Sequence, residues 1–219
     1  MLNNRAFSSS LLDPRFILPG TNPYYNPDRD FKTEHIKLTF SFDMNKHIVY
    51  GFSETTLRTI KDQMDFINFN AVDMKIDSVH IKKENRLEKM KFNYDGSILK
   101  VLPKKSLKRG DNCTIKVKYR LIDPKLGVFF MKRKDWQIWT HGEAEDARYW
   151  FPCYDSPNEK CTTEMILRVP KDYVGLSNGK LVETRIENNN KIFHWKFSSP
   201  HSSYLVMFAV GKFSIIEEN

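Results

Sequence analysis

Several features that would assign this sequence to a familiar class are scarce or missing. The 219 residues include only three cysteines and nine glycines, and no run of roughly 18 apolar residues occurs. The three cysteines (Cys113, Cys153 and Cys161) form no C-x-x-C pair, so they indicate neither a disulfide framework nor a cysteine zinc site. The N-terminal residues do not resemble a signal peptide. The sequence therefore predicts a protein of the reducing cytoplasm without a membrane span.

The motifs of the common active sites are also missing. An H-E-x-x-H motif would place two imidazoles one helical turn apart, but no two of the six histidines are four residues apart. The sequence contains no G-x-S-x-G elbow, no G-x-G-x-x-G loop and no P-loop. These residues alone predict no complete catalytic site, no metal site and no cofactor.

The excess of positive charge raises the question of nucleic acid. The formal net charge is +8, with the basic residues spread over 82–91, 100–109, 116–120 and 132–134. Most of them alternate with apolar residues, as the solvated faces of strands do. None of the standard nucleic-acid-binding modules is present. The sequence argues against a nucleic-acid partner, and a steep salt dependence of binding would support one.

Hydrophobic residues recur with period two, which predicts strands. Between Thr33 and Asp43, every second residue is apolar, and the same alternation occurs at 113–121, 165–169 and 193–197. Turn signals such as Asp95-Gly96 and Asn178-Gly179 separate these runs. The segment 60–70 fits a strand slightly better than a short helix. The pattern predicts an all-β fold in residues 31–219, preceded by an extended arm over residues 1–30.

One segment, residues 136–158, is periodic neither as a helix nor as a strand. It combines carboxylates and an arginine with several aromatic residues, a composition often found in functional loops. The alternative is a structural loop in which Arg148 pairs with Asp155 or Asp146, while the aromatic residues fill a corner of the core. We favour this structural interpretation for Arg148, Asp146, Cys153 and the aromatic residues.

The same segment carries a family resemblance. The stretch THGEAEDARYWFPCYDSPNEKCTTEMILRVP resembles the pattern T-Q-x-E-A-x-x-A-R-x-x-F-P-C-x-D-x-P of zinc aminopeptidases, which include aminopeptidase N and the leukotriene-hydrolase branch. The stretches PDRDFKTEHIKLTFSFDMNKHIVYGFSETTLRTI, LSNGKLVET and FHWKFSSPHSSYLVMFAVGKF resemble the opening and closing strands of the family's N-terminal domain. The resemblance covers the chain from about Pro23 to Phe213.

The resemblance implies a fold and a partner. The fold is a saddle-shaped antiparallel β-sandwich that caps a thermolysin-like catalytic domain, which in the family follows directly in sequence and holds zinc. These 219 residues contain none of that domain's zinc motifs. The implied function is a cap domain, not catalytic alone, that contributes to removal of N-terminal residues from peptides. Its expected partners are the catalytic domain of the same polypeptide and peptides with a free N-terminus.

Two residues carry the implied substrate contact. Glu143 matches the acidic or amide residue that binds the substrate's α-amine in the family. His141 stands where the family usually has Gln, so the peptide contact of that side chain is altered or lost, since a neutral imidazole offers one donor where Gln offers two donors and an acceptor. This departure implies either a changed pH preference or an inactive relative.

A second function stays open. The family resembles a subunit of a general transcription factor complex that keeps the same β domain for binding alone. The chain would then be a non-catalytic scaffold. The presence of Glu143 in an intact GEAEDAR motif argues against this alternative.

Overall fold

The computed structural model describes residues 28–84 and 86–216. In this part of the chain we find 17 strands and two short 3₁₀ turns, Ala147–Tyr149 and Ser203–Leu205. The strands are β1 (Phe31–Asp43), β2 (Ile48–Thr59), β3 (Gln63–Met64), β4 (Ile67–Asn70), β5 (Lys75–Lys83), β6 (Arg86–Lys89), β7 (Lys91–Tyr94), β8 (Ile98–Leu102), β9 (Leu107–Lys108), β10 (Asn112–Ile122), β11 (Val128–Lys132), β12 (Trp136–Thr140), β13 (Lys160–Pro170), β14 (Val174–Ser177), β15 (Lys180–Glu187), β16 (Asn190–Ser202) and β17 (Phe208–Gly211).

Eight strands form one large sheet in the order β15-β16-β13-β1-β2-β10-β5-β6. The central pair β1 and β13 is parallel, with Leu38 opposite Met165, and the other strand pairs of the described chain are antiparallel. The remaining strands form a four-stranded sheet (β11-β12-β17-β14), a three-stranded sheet (β4-β8-β7) and the pair β3-β9. The predicted all-β fold with antiparallel sheets is confirmed, and the parallel pairing of β1 with β13 is the one departure from it among the described strands.

The core lies between the large sheet and the smaller ones. The alternating residues predicted to face inward in β1, β10 and β13 are buried, including Leu38, Ile115 and Leu167. Aromatic rings join the layers: the ring of Phe40 in β1 lies 5.4 Å from that of Phe208 in β17, centroid to centroid. Buried and solvent-facing side chains therefore alternate along these strands, because one face of each strand packs on the second layer while the other face meets solvent.

Tyr119 shows how closely the layers approach. Its hydroxyl donates a hydrogen bond to the carbonyl of Trp150, 2.8 Å away, and its ring lies over Gly51 of the neighbouring strand. A Cβ at Gly51 would lie 2.4 Å from that ring. Glycine at this position is thus required by packing, not by backbone conformation.

Two local predictions have different outcomes. The strand interpretation of residues 60–70 is confirmed by β3 and β4. The segment 136–158 is not periodic in sequence, yet it begins with a strand that the sequence did not predict, because residues 136–140 form β12. Aromatic residues occupy both faces of this strand, so no polar–apolar alternation marks it.

The outer face of the large sheet carries the charged residues, as the charge pattern predicts, and several of them form ion pairs. Glu164 on β13 accepts a hydrogen bond from His194 at 3.1 Å and lies 3.3 Å from Lys196 and 3.5 Å from Lys37. Burial alone would raise the pKa of Glu164, but these hydrogen bonds and charges outweigh it and lower the pKa. Lysines and histidines of the two neighbouring strands, β1 and β16, therefore share this one carboxylate.

The predicted N-terminal arm, residues 1–30, lies mostly outside the described residues, which begin at 28. Within the described chain, no helix is both long and apolar enough to cross a membrane.

Candidate functional site

The segment after β12 forms a compact turn that holds both predicted substrate-contact residues, His141 and Glu143. The His141 amide donates a hydrogen bond to the carbonyl of Gly127, 3.0 Å away. The Asp146 amide donates to the carbonyl of Gly142, also at 3.0 Å, which closes the turn. The peptide bond between Glu143 and Ala144 is cis. The turn is thus anchored to the loop before β11 and closed on itself.

Gly142 allows this turn to lie close to the backbone of Tyr204. It is buried, and a Cβ at this position would lie 2.8 Å from the carbonyl oxygen of Tyr204. Tyr204 belongs to the 3₁₀ turn between β16 and β17. A larger residue would push one backbone segment away from another, so glycine permits the close contact.

Arg148 and Asp155 hold together the part of the segment that follows the turn. The backbone amide and Nε of Arg148 both donate to Oδ2 of Asp155 at 3.0 Å, and Nη2 donates to Glu145 at 2.7 Å. The Asp155 side chain is completely buried, and its second oxygen accepts a hydrogen bond from Ser203 Oγ at 2.7 Å. Burial by itself lowers the pKa of Arg148, but the hydrogen bond and charge of Asp155 outweigh this and raise it.

This arrangement confirms the structural interpretation of Arg148 and selects Asp155, not Asp146, as its partner. Trp150 and Phe151, next in the chain, are fully buried in the core. Cys153 is also buried, and burial raises the pKa of its thiol well above the ordinary value. A thiol in this state is a poor nucleophile, so Cys153 serves packing.

Two residues outside the segment complete its support, and the sequence did not reveal them. Asn70, at the end of β4, accepts a hydrogen bond on its side-chain oxygen from the Asp155 amide at 3.0 Å, and its backbone pairs with Cys153. Ser203 binds Asp155 from 48 residues away. No local pattern marks residues that are brought to a site from so far along the chain.

Glu143 and His141 differ from these supporting residues because both are exposed. Within residues 28–84 and 86–216, neither side chain has a hydrogen-bond or ion-pair partner. The neighbouring Glu145 is instead engaged with Arg148. The braced turn therefore presents one free carboxylate and one imidazole to solvent, an arrangement suited to binding a cationic, hydrogen-bonding group.

A metal centre finds no support among the described residues, since no group of three or more His, Cys, Asp or Glu side chains is placed to hold an ion. His35 and His194 approach the same carboxylate, Glu164, but two lysines share that site. The residues present do not fit a zinc ion.

Comparison with known proteins identifies the family. A family model described as the peptidase M1 N-terminal domain matches residues 32–205. The chain belongs to this family. The match includes the whole His141–Asp155 segment and ends within the 3₁₀ turn that contacts Gly142.

Curated relatives of this M1 N-terminal domain include both aminopeptidases and a transcription initiation factor subunit. Aminopeptidase M1 of Arabidopsis thaliana is 41% identical over 80 residues, 36% of this chain and 9% of the relative. Glutamyl aminopeptidase of Mus musculus is 42% identical over 79 residues, 36% of this chain and 8% of the relative. Transcription initiation factor TFIID subunit 2 of Gallus gallus is 30% identical over 112 residues, 47% of this chain and 10% of the relative. The aligned parts thus amount to about a tenth of these relatives' length.

A solved structure shows the same fold. The M1 zinc metallopeptidase from Deinococcus radiodurans superposes with a TM-score of 0.74 at 15% identity, over 84% of this chain and 42% of that one. At this identity the likeness concerns the fold alone.

Proposed function

We propose that this chain is the substrate-facing N-terminal domain of a zinc metallo-aminopeptidase and that Glu143 binds the free α-amine of the peptide substrate. The observation that carries the proposal is the state of Glu143, an exposed and unpaired carboxylate on a turn that buried hydrogen bonds hold in place. The family membership and the two aminopeptidase relatives support this assignment.

The chemistry of the α-amine suits a carboxylate partner. An α-amine has a pKa of about 7.7–8.0, so near neutral pH it is largely protonated and donates charge-assisted hydrogen bonds. Hydrogen bonds to charged groups contribute roughly 1.5–3 kcal/mol, or about 10- to 150-fold in affinity. Glu143 would therefore both favour free N-termini and fix the end of the peptide chain.

His141 extends the proposal to the peptide backbone. As a neutral imidazole it offers one donor and one acceptor to the first peptide group, on the same turn as Glu143. His141 would form fewer hydrogen bonds with the peptide group than the Gln that the family usually has at this position. We therefore propose a weaker or differently oriented hydrogen bond there.

Zinc belongs to the proposal but not to these residues. Because no group of described residues fits the ion, we propose that zinc and the hydrolytic chemistry reside in a catalytic domain outside these 219 residues. The 219 residues would not be catalytic alone. The three free, buried cysteines support a reducing location, and we propose the cytoplasm.

The test uses the product of the full open reading frame and aminoacyl chromogenic substrates. We expect Glu143→Gln to raise KM and to lower kcat/KM by about 10- to 150-fold, because the charge-assisted bond is lost. Asp146→Asn is the matched control: it lies on the same turn, and its side chain does not cap the following 3₁₀ turn. Equal effects of the two variants would contradict the role of Glu143.

A second candidate is a non-catalytic interaction domain, which the alignment with TFIID subunit 2 favours because it extends over 47% of this chain. This alignment is longer than those with the two aminopeptidases. The same assay separates the candidates. A full-length product that binds zinc and hydrolyses aminoacyl substrates supports the peptidase, whereas a metal-free, inactive product would support the scaffold.

A further inference from the structure

The positive charge of the chain is concentrated in two segments, residues 82–91 and 100–109. Together they hold ten lysines and arginines against two glutamates, a net charge of +8 that equals the formal net charge of the whole chain. In sequence they look like separate solvated stretches. In the fold they meet, because Lys83, Glu84 and Arg86 line the same groove as residues 103–106 before β9.

A groove separates the two segments. Its cavity has a volume of about 520 Å³, within the range of ligand-binding pockets. Ile81, Met90, Pro103 and Leu107 give it an apolar floor. Lys83 and Arg86 stand opposite each other across the β5–β6 pair on one side, and Lys104 and Lys105 stand on the other. We call this feature the basic groove.

The cations of the basic groove differ in how they are paired. Lys104 binds Glu88 at 2.9 Å and Lys83 binds Asp111 at 2.8 Å. Arg86 and Lys105 are exposed, and neither has a carboxylate of the described chain within 4.0 Å. Each of the two segments therefore contributes one cation to the groove that forms no ion pair within the described chain, and the charge of Glu88 acts on both of these cations from a longer distance.

We propose that the basic groove binds an acidic, extended peptide segment of a partner protein. Alternating carboxylates of such a segment would pair with Arg86 and Lys105, and its aliphatic side chains would lie on the apolar floor. This site goes beyond the proposed function, because none of its residues belongs to the Glu143 turn.

The lining of the basic groove favours a peptide over other polyanions. No aromatic side chain lines it, and stacking on aromatic residues is the usual basis for binding single-stranded nucleic acid. Glu84 and Glu88 on the rim would repel a continuous row of phosphates, whereas a peptide can place neutral residues opposite them. The unpaired cations also border a concave groove, whereas an anionic membrane presents a broad surface.

The experiment measures binding of a fluorescein-labelled decapeptide, in which Glu alternates with Leu or Ser, to the full-length protein by fluorescence anisotropy. The peptide is N-acetylated so that it lacks an α-amine for Glu143. We expect the double variant Arg86→Glu/Lys105→Glu to raise Kd at least ~10-fold. The control Lys118→Glu/Lys180→Glu changes two exposed lysines on other strands by the same charge, and we expect a change below ~3-fold.

A milder variant and two other probes complete the test. Arg86→Gln/Lys105→Gln should give an intermediate loss with an unchanged thermal unfolding midpoint, which separates lost binding from lost folding. Absence of peptide binding to the parent protein would overturn the proposal, as would equal losses in the two charge-reversal variants. Preferential binding of oligothymidine or of phosphatidylserine vesicles would also overturn it, in favour of nucleic acid or a membrane.

Discussion

At the scale of single residues, Asp155 has the largest structural role in the site. Its buried carboxylate accepts hydrogen bonds from the backbone and side chain of Arg148 and from Ser203. Asp155→Ala would leave these three donors without their acceptor. We expect a loss of about 3 kcal/mol in the free energy of unfolding, measured by urea denaturation, because a partly buried cation loses the buried one of its two carboxylate partners.

Ser203→Ala serves as the comparison, since it removes only one donor to the same carboxylate. We expect a loss of about 1–2 kcal/mol for this variant. If Asp155→Ala were no more destabilising than Ser203→Ala, the buried ion pair would not be the main support of the segment.

His201 gives the molecule a pH dependence. It is buried, its Nδ1 donates to the Ser199 carbonyl at 3.1 Å, and burial lowers its pKa below the ordinary 6.5 despite that hydrogen bond. Burial lowers the pKa of His35 as well. The unfolded chain therefore binds more protons than the folded one below about pH 6.5, and stability falls as the pH is lowered through that value.

We expect the urea midpoint to fall between about pH 7.5 and pH 5.5, with a limit of about 1.4 kcal/mol per pH unit for each proton taken up. His201→Gln removes this titration and should flatten the slope, and His35→Gln/His201→Gln should flatten it further. An unchanged slope in the double variant would show that these histidines do not set the dependence.

At the scale of elements, the turn after β12 is positioned by the close contact between Gly142 and Tyr204. Gly142→Ala would force the two backbone segments apart, since the new Cβ would meet the Tyr204 carbonyl at 2.8 Å. We expect a loss of about 1–3 kcal/mol in stability and, in the full-length protein, a higher KM for aminoacyl substrates. Gly96→Ala is a comparison without steric contact, because no atom lies within 4 Å of the added Cβ, although its φ of +95° carries backbone strain. If the two glycine variants raised KM equally, the higher KM would follow from lost stability and not from the position of the turn.

The strands show which parts of the fold a single sequence can predict. β10 was predictable because Cys113, Ile115 and Val117 are buried while the residues between them meet solvent. The sequence predicts β15 less strongly, since nearly all of its residues are exposed and apolar residues such as Ile186 interrupt the alternation. The parallel pairing of β1 with β13 joins residues 127 positions apart, as His35 and Thr162 show, and no local pattern encodes such a pairing.

The candidate site was likewise predictable from the sequence only in part. The segment around Glu143 was recognisable from its residues, but its supports Asn70 and Ser203 reach it only through the fold. The basic groove was hidden for the same reason: its two sides are separate in sequence, and only the fold brings Lys83, Glu84 and Arg86 to the same groove as residues 103–106.

At the scale of the whole molecule, the four-stranded sheet has an outer face without charged residues. The strand register places eight side chains or glycines on this face: Phe129, Met131, Gln137, Trp139, Val174, Leu176, Ala209 and Gly211. The rings of Phe129 and Trp139 stack with centroids 5.9 Å apart, and Leu176 is 37% exposed. This surface contrasts with the outer face of the large sheet, where charges pair across the strands.

A half-buried, largely apolar face next to the Glu143 turn has a consequence for the 219-residue chain in isolation. Apolar patches left in water favour association, so we expect its sedimentation coefficient to rise with protein concentration. Phe129→Gln/Leu176→Gln places two amides on the face and should raise the dissociation constant for self-association at least ~5-fold. Leu87→Gln/Ile122→Gln removes two apolar side chains that are 58% and 55% exposed on other strands, and should leave it nearly unchanged. A chain that remains monomeric at every concentration would show that this face needs no partner, which would count against the cap arrangement that the proposed function requires.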